Sequence, residues 1–207
     1  MKLLIPIIMT MFMVAACAPT NAATEVMVEE TSEATLIQTA EPATEATSEV
    51  MTEEPVKSPA WISGELINVV TGEAFKLSDF AGKVILVENL AMWCPTCLKQ
   101  QEQVKLLHEQ LGTDSDLVSV GFDVDQNEVE EDLKKYVESN GFDWYYAIPS
   151  LDIVREIANL YGANFLNPPL TPVLIIDRKG VVHPMNMGLK SAEDLKLFIE
   201  PFLSEGM

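Results

Sequence analysis

Trp93-Cys94-Pro95-Thr96-Cys97 sets two thiols three positions apart, after an apolar run from Val84 to Ala91 and before a helix-like segment. At the start of a helix the first sulfur lies beside backbone N–H groups that have no partner inside the helix. Those groups and the helix dipole favour thiolate over thiol. The second sulfur sits one turn further in and can close back on the first. A disulfide that encloses only two residues removes little chain entropy and is a poor staple, so this spacing suits reversible redox chemistry better than a structural bridge. Half a zinc site is the other reading. It needs two more ligands, the domain holds no third cysteine, and His108 and His183 lack a useful local spacing.

Glu88 interrupts the apolar run six residues before Cys94. A charge in a central strand is costly unless it is paired or titrates upward. A carboxyl with a raised pKa can accept the Cys97 proton during exchange. In the alternative, the strand ends early and Glu88 faces solvent or makes an ion pair. Trp93 reads either as a surface for docking a partner or as a partly buried core aromatic. His108, on the first helix and far from the thiols, reads as a solvated histidine on the helix flank.

The elements that must position these groups alternate along the chain. Leu66 to Val70 and Ala74 to Leu77 flank Thr71-Gly72-Glu73, a hairpin signal. Val84 to Val87 and Leu117 to Val124 read as buried strands. Pro95 to Gly112 reads as a helix, with proline early, where its missing N–H costs little, and glycine after the end. The pattern predicts helices over Asn127 to Asn140 and Leu151 to Tyr161, and a short strand over Trp144 to Ile148. Val173 to Ile176 and Val181 to Pro184 form a second hairpin around Asp177-Arg178-Lys179-Gly180. Ser191 to Leu203 is the last helix, opened by a capping box from Ser191 and Asp194. This order gives an α/β domain with a central mixed β-sheet flanked by helices on both faces and an N-terminal β-hairpin.

The chain's start differs from the rest. After Met1-Lys2, residues Leu3 to Ala16 are apolar or small apart from Thr10, too short a run for a membrane span and the length of a signal-peptide core. It ends in Val14-Ala15-Ala16-Cys17, which resembles a bacterial lipobox. That resemblance implies a lipoprotein signal peptide over residues 1–16, with lipid on Cys17; ordinary signal cleavage that removes or frees Cys17 is the alternative, and both export the protein. Export fits disulfide chemistry. Residues 18–60 hold eight Thr, nine Glu and no aromatic residue, a composition that cannot bury enough surface to order itself. Residues 17–60 are therefore expected to be a disordered tether. The formal charge of −19 divides into −7 before residue 61 and −12 after it. So acidic a domain argues against nucleic acid and anionic lipid as partners. The remaining 61–207 suits one domain with a sizeable core.

Taken together, the strand, the Trp-Cys-x-x-Cys, the helix, the later Thr171-Pro172 and the closing hairpin and helix resemble the thioredoxin fold. The lead-in Lys76-Leu77-Ser78-Asp79-Phe80-Ala81-Gly82-Lys83 and the extra helical segment before Pro172 resemble the TlpA/ResA-like membrane-anchored thioredoxins more closely. The resemblance implies that Cys94 is the exposed nucleophile and Cys97 the resolving thiol. It implies that Pro172 is the cis-proline beside the disulfide, with Pro168 and Pro169 as competitors for that match, and that Thr171 joins Trp93 in docking substrate. Glu88 matches a position where thioredoxins often hold a buried carboxylate. Gln100 departs from the family: many relatives have a glutamate there, and glutamine cannot titrate.

The reading is an enzyme, a thiol–disulfide oxidoreductase anchored through Cys17 on the extracytoplasmic face of a bacterial membrane. Its partners are exported proteins that carry disulfides or thiols, and a membrane or soluble thiol electron partner. The pair Pro95-Thr96 supplies no cation to fix the direction; the resemblance implies reduction, of apocytochrome c or other exported proteins. No flavin, nucleotide or haem signature appears, so no cofactor is expected. The peroxiredoxin pattern Pro-x-x-x-Thr-x-x-Cys is absent. A copper-binding chaperone of the same fold is the alternative, although such proteins use Cys-x-x-x-Cys and a suitably placed histidine. A purely structural lipoprotein would show no thiol exchange.

Overall fold

A computed structural model describes residues 58–113 and 115–205. The expectations for the signal peptide, the lipidated Cys17 and the tether up to residue 57 lie outside the described residues. β3 (Val84–Leu90) runs through the centre of a five-stranded sheet of order β5-β4-β3-β6-β7. β4 (Leu117–Asp123) pairs parallel to β3 on one side, and β6 (Val173–Ile176) antiparallel on the other. β5 (Tyr145–Ala147) and β7 (Val182–Pro184) form the edges. All seven residues of β3 are buried, as an apolar strand between two layers must be.

Strand alternation sorts the core into two halves. Val84, Leu86 and Leu90 face α1 (Pro95–Leu111), α2 (Glu130–Asn140) and α4 (Ala192–Ser204), in one cluster with both cysteines, Tyr146, Val173 and Ile175. Ile85 and Val87 face the other way, toward α3 (Leu151–Tyr161) and the N-terminal segment with Trp61, Phe75 and Phe165. Each such aliphatic side chain contributes about 1.5–3 kcal/mol on burial. Glu88 shares the parity of Leu86 and Leu90, so it lies on the half that holds the cysteines.

The expected helices and strands are present, with shifts that have local causes. The first hairpin keeps only β1 (Leu66–Ile67) and β2 (Ala74–Phe75), because Val69 leaves it to donate its N–H to Tyr146 O at 2.9 Å. α2 starts at Glu130, not Asn127. Asp125 Oδ1 accepts from the backbone N–H of Asn127 at 3.0 Å, an Asx turn that competes with helix in the first expected turn. α4 opens as expected: Ser191 Oγ accepts from Asp194 N at 3.1 Å, and Asp194 Oδ2 from Ser191 N at 3.0 Å. Three 3-10 turns, Ala60–Ser63, Ala163–Leu166 and Pro168–Leu170, were not visible in the periodicity.

Candidate active site

β3 ends at Leu90, and the chain turns through Ala91 to Trp93 into α1. Cys94 is the N-cap of α1, and Cys97 N donates to its sulfur at 3.1 Å. One of the N–H groups left free at the helix start is therefore aimed at the Cys94 sulfur. Buried positions 97, 100, 101, 104 and 107 recur at helical spacing and put Cys97 on the inward stripe of α1. Cys94 and Cys97 are joined as a disulfide, with Cα atoms 5.3 Å apart.

The exposed nucleophile expected from the resemblance is not exposed in this disulfide form: Cys94 is 1% accessible. A cover lies beside it, against Cys97 and Thr96. The 3-10 turn Pro168–Leu170 lies over the helix start, Pro168 O sits 3.1 Å from Cys97 Sγ, and Thr96 Oγ1 donates to Pro169 O at 3.3 Å. Thr96 Oγ1 is also 3.2 Å from Cys94 Sγ.

Pro172 follows this cover directly, and its carbonyl accepts from Asn89 N at 3.2 Å. The cis peptide expected before it is not found; no peptide bond among the described residues is cis. The chain reverses here by another device. Thr171 takes a left-handed conformation, φ 46° and ψ 57°, at the end of the 3-10 turn. A β-branched residue before proline is poorly suited to that region, at a cost of about 1–3 kcal/mol, so its surroundings must impose it. Thr171 is 1% accessible and its Oγ1 is buried without a partner, so it offers no docking surface here.

Glu88 does interrupt a continuing strand. It is 2% accessible, and Oε1 has no hydrogen-bond partner. Burial pushes its carboxyl well above the ordinary 4.5, and the charge of Lys190 opposes this only in part. Lys190, 6% accessible, precedes α4. Burial lowers its ammonium to about 8, against the pull of Glu88. Its Nζ donates to Thr171 O. Nothing in the sequence marks Lys190, a single lysine ahead of a capping box; only the fold brings it beside β3.

Gln100 is fully buried and spends both ends of its amide on the Lys190 backbone, accepting from N at 2.8 Å and donating to O at 3.1 Å. Gln101 donates to Cys97 O at 3.3 Å and accepts from Tyr146 OH at 2.7 Å. Tyr146 reaches it across β4 because position 121 is glycine, where a Cβ would overlap the tyrosine ring. Burial, with Glu88 nearby, raises the Tyr146 phenol well above its ordinary range and keeps it a donor.

Trp93 is 58% accessible, the exposed alternative of its two readings, and its Nε1 donates to Asp125 Oδ2 at 2.8 Å. Met92 N donates to Glu128 Oε2 at 2.9 Å, so acids after β4 hold the turn ahead of Cys94. Asp123 ends β4 fully buried. Burial first, and then Glu128 beside it, push its carboxyl up to about 9. His108 is half-buried, not free on the helix flank: it stacks on Trp144, its Nε2 is 2.8 Å from Ser119 Oγ, and burial lowers its pKa. His183 lies in the late hairpin, 2.8 Å from Asp177 Oδ2.

A four-helix, mixed-sheet domain that caps a helix with one cysteine of a buried disulfide is the architecture of a thioredoxin-fold oxidoreductase. Solved structures agree on the fold. A thiol:disulfide interchange protein of the thioredoxin family from Chlorobium tepidum TLS aligns with a TM-score of 0.54 at 18% identity, over 68% of this chain and 92% of that one. A thiol-disulfide isomerase from Corynebacterium glutamicum aligns at 0.51 and 23% identity, over 66% and 90%. In sequence, the thiol-disulfide oxidoreductase ResA of Geobacillus thermodenitrificans is 24% identical over 138 residues, 65% of this chain and 72% of the relative. Residues 52–195 match the Redoxin family. The chain belongs to that family and is an oxidoreductase, similar in sequence to the ResA proteins.

Proposed function

We propose that the protein reduces disulfides in exported proteins, through the Cys94–Cys97 pair, from a lipid anchor at Cys17 on the extracytoplasmic face of a bacterial membrane. The carrying observation is the disulfide at the head of α1, with Cys97 N on Cys94 Sγ, on the same side of the sheet as an unpartnered buried Glu88. In the reduced enzyme the Cys94 thiolate attacks one sulfur of a partner disulfide. The partner's other sulfur leaves as a thiolate and takes a proton. Cys97 then gives its proton to Glu88 and attacks Cys94 Sγ in the mixed disulfide, which breaks that bond and releases the second partner sulfur. Two electrons pass from the Cys94–Cys97 pair to the partner; one proton comes from Cys97 by way of Glu88 and the other from solvent. Trp93 supplies an exposed aromatic face for docking, and Pro172 borders the pair beneath the cover. Apocytochrome c is one exported protein of the required kind.

Three measurements test this reading. Insulin reduction by the full chain with dithiothreitol as electron source should fall in Cys94→Ser to the rate of dithiothreitol alone. In Cys97→Ser the mixed disulfide with the partner should accumulate. Cys17→Ala, expressed in a bacterial host, should move the protein from the membrane fraction to the soluble one. Insulin reduction above the dithiothreitol background in Cys94→Ser would overturn the catalytic assignment, and an unchanged membrane fraction would overturn the anchor.

A further inference from the structure

β4 ends on a buried acid to which the exchange steps give no part. Asp123 pairs with Leu90 at the end of β3, on the half of the core that holds the cysteines, and it is fully buried. No lysine, arginine or histidine among the described residues lies within ion-pair distance of it. Its two oxygens lead to two residues of the following loop. Oδ1 accepts from Asp125 N at 3.0 Å, and Asp125 Oδ2 accepts from the Trp93 indole. Oδ2 meets no donor and lies on the side of the Glu128 carboxyl. Glu128 Oε2 accepts from Met92 N at 2.9 Å. Both paths end in the turn between β3 and α1. That turn sets where α1 begins: Cys94 N donates to Ala91 O at 3.1 Å, and Cys97 N then reaches Cys94 Sγ.

We propose that Asp123 is a positioning residue for thiol–disulfide exchange: its buried carboxyl donates a hydrogen bond to Glu128, and Glu128 holds the Met92 N–H and with it the turn that sets Cys94 as the cap of α1. The inference rests on the oxidoreductase reading of the disulfide but gives a role to an acid outside the exchanging pair and apart from Glu88. Two neighbouring carboxyl groups with no cation between them cannot both stay ionised at low cost. Burial, and Glu128 beside it, push the Asp123 carboxyl up to about 9, so it keeps its proton at neutral pH. From its own loop Asp123 faces Glu128 and Asp125, and from α2 it faces Tyr136, whose hydroxyl accepts from Gln101 of α1. β3 presents Leu90. A protonated Asp123 has one O–H to give, and Glu128 is the acceptor beside it. The consequence falls on the Cys94 sulfur. A thiolate at a helix head is stabilised by the N–H groups aimed at it, and that aim depends on where the turn puts the sulfur. A slack turn loses the aim and favours the thiol.

The test is alkylation of the reduced full chain by iodoacetamide across pH, with the label on Cys94 read by peptide mapping. Asp123→Val fills similar space at the end of a strand and removes the donor. It should move the Cys94 inflection upward, so that the thiolate fraction at neutral pH falls about tenfold, the effect of one lost hydrogen bond to a charged group. Asp123→Asn offers Asp125 the same acceptor and gives Glu128 an N–H donor, so its thiolate fraction should stay within about twofold of wild type. An unchanged inflection in the folded Asp123→Val overturns the proposal. So does an Asp123→Asn profile that matches the valine variant.

Glu128→Ala covers the case of an Asp123 variant that does not fold. Glu128 is half-buried in the loop between β4 and α2, and its loss frees Met92 N while the bond from Trp93 to Asp125 stays. Cys94 should show the same upward move of its inflection. An inflection unchanged from wild type in Glu128→Ala overturns the proposal. Iodoacetamide needs no protein substrate, so failure to reduce insulin would sink the proposed function without deciding the role of Asp123.

Discussion

Glu88 and Lys190 are buried within reach of each other's charge, yet Lys190 Nζ donates to Thr171 O and leaves Glu88 Oε1 without a partner. The arrangement separates two tasks. The amine holds backbone, and the acid stays uncompensated and high in pKa. A direct ion pair would have stabilised the carboxylate and lowered its capacity to receive a proton at neutral pH.

The first prediction follows from that separation. The Glu88 carboxyl is raised in the folded state, so between its ordinary 4.5 and its higher folded value the native protein binds more protons than the unfolded chain. Stability from this group is fully present below 4.5 and is lost as pH rises, by up to about 1.4 kcal/mol per pH unit. Glu88→Gln removes the slope. Denaturant melts of both proteins from acid to mildly alkaline pH should show near-equal stability at the acid end and a growing advantage for the variant above it. Insulin reduction by the variant should fall about tenfold or more. A variant that loses stability at neutral pH and keeps full activity would remove Glu88 from the mechanism.

Cys94 should be the thiol that reacts first. It caps α1 and accepts the Cys97 N–H, whereas Cys97 lies on the inward stripe of the helix. Substoichiometric iodoacetamide on the reduced domain, followed by peptide mapping, should place most of the label on Cys94, with reactivity extending below the pH at which a free thiol becomes inert. Preferential labelling of Cys97 would exchange the two roles.

Much of the fold was legible in the sequence because its elements are long and regular. β3 is a continuous apolar run, α1 carries its proline and glycine at the two ends, and Ser191 and Asp194 cap α4 as read. The thiols and Glu88 stood out because each breaks the pattern around it. What the sequence could not show depends on contacts between distant segments. Lys190 meets Thr171 nineteen residues back, and Gln100 ninety residues back, through loops with no period. The cover escaped for a related reason: Asn167-Pro168-Pro169-Leu170 signals a turn, but not what the turn lies on. The state of the peptide before Pro172 and the exposure of Cys94 were inferred from the resemblance, and the local geometry of the folded chain decided both differently.

Deleting the N-terminal segment should leave the domain intact. Trp61 is buried against Phe122 and Tyr161, so the folded unit needs the turn from Ala60. A chain that starts at Lys57 keeps Ser58 and Pro59, whose carbonyl accepts from Ile62 N at 3.2 Å. Its melting temperature and its insulin reduction in solution should match those of the full chain. A drop of several degrees would place part of the fold before residue 57.

Trp93 supplies the last prediction. More than half of it is exposed beside a buried disulfide, an unusual cost for an indole unless a partner covers it. Its Nε1–H is already held by Asp125, so the ring is fixed in place before any partner arrives. A pre-oriented aromatic anchor is the kind of residue whose loss costs a protein interface about 2 kcal/mol or more, close to thirtyfold in affinity. Trp93→Ala should therefore raise the KM for insulin by about that factor and leave the turnover number nearly unchanged. The rate with dithiothreitol alone, which has no surface to dock, should stay within about twofold of wild type. Asp125→Asn should give a smaller rise in KM, because it weakens the hold on the ring but keeps the ring itself. Equal loss with insulin and dithiothreitol would instead make Trp93 part of the support for the Cys94 turn and remove its docking role.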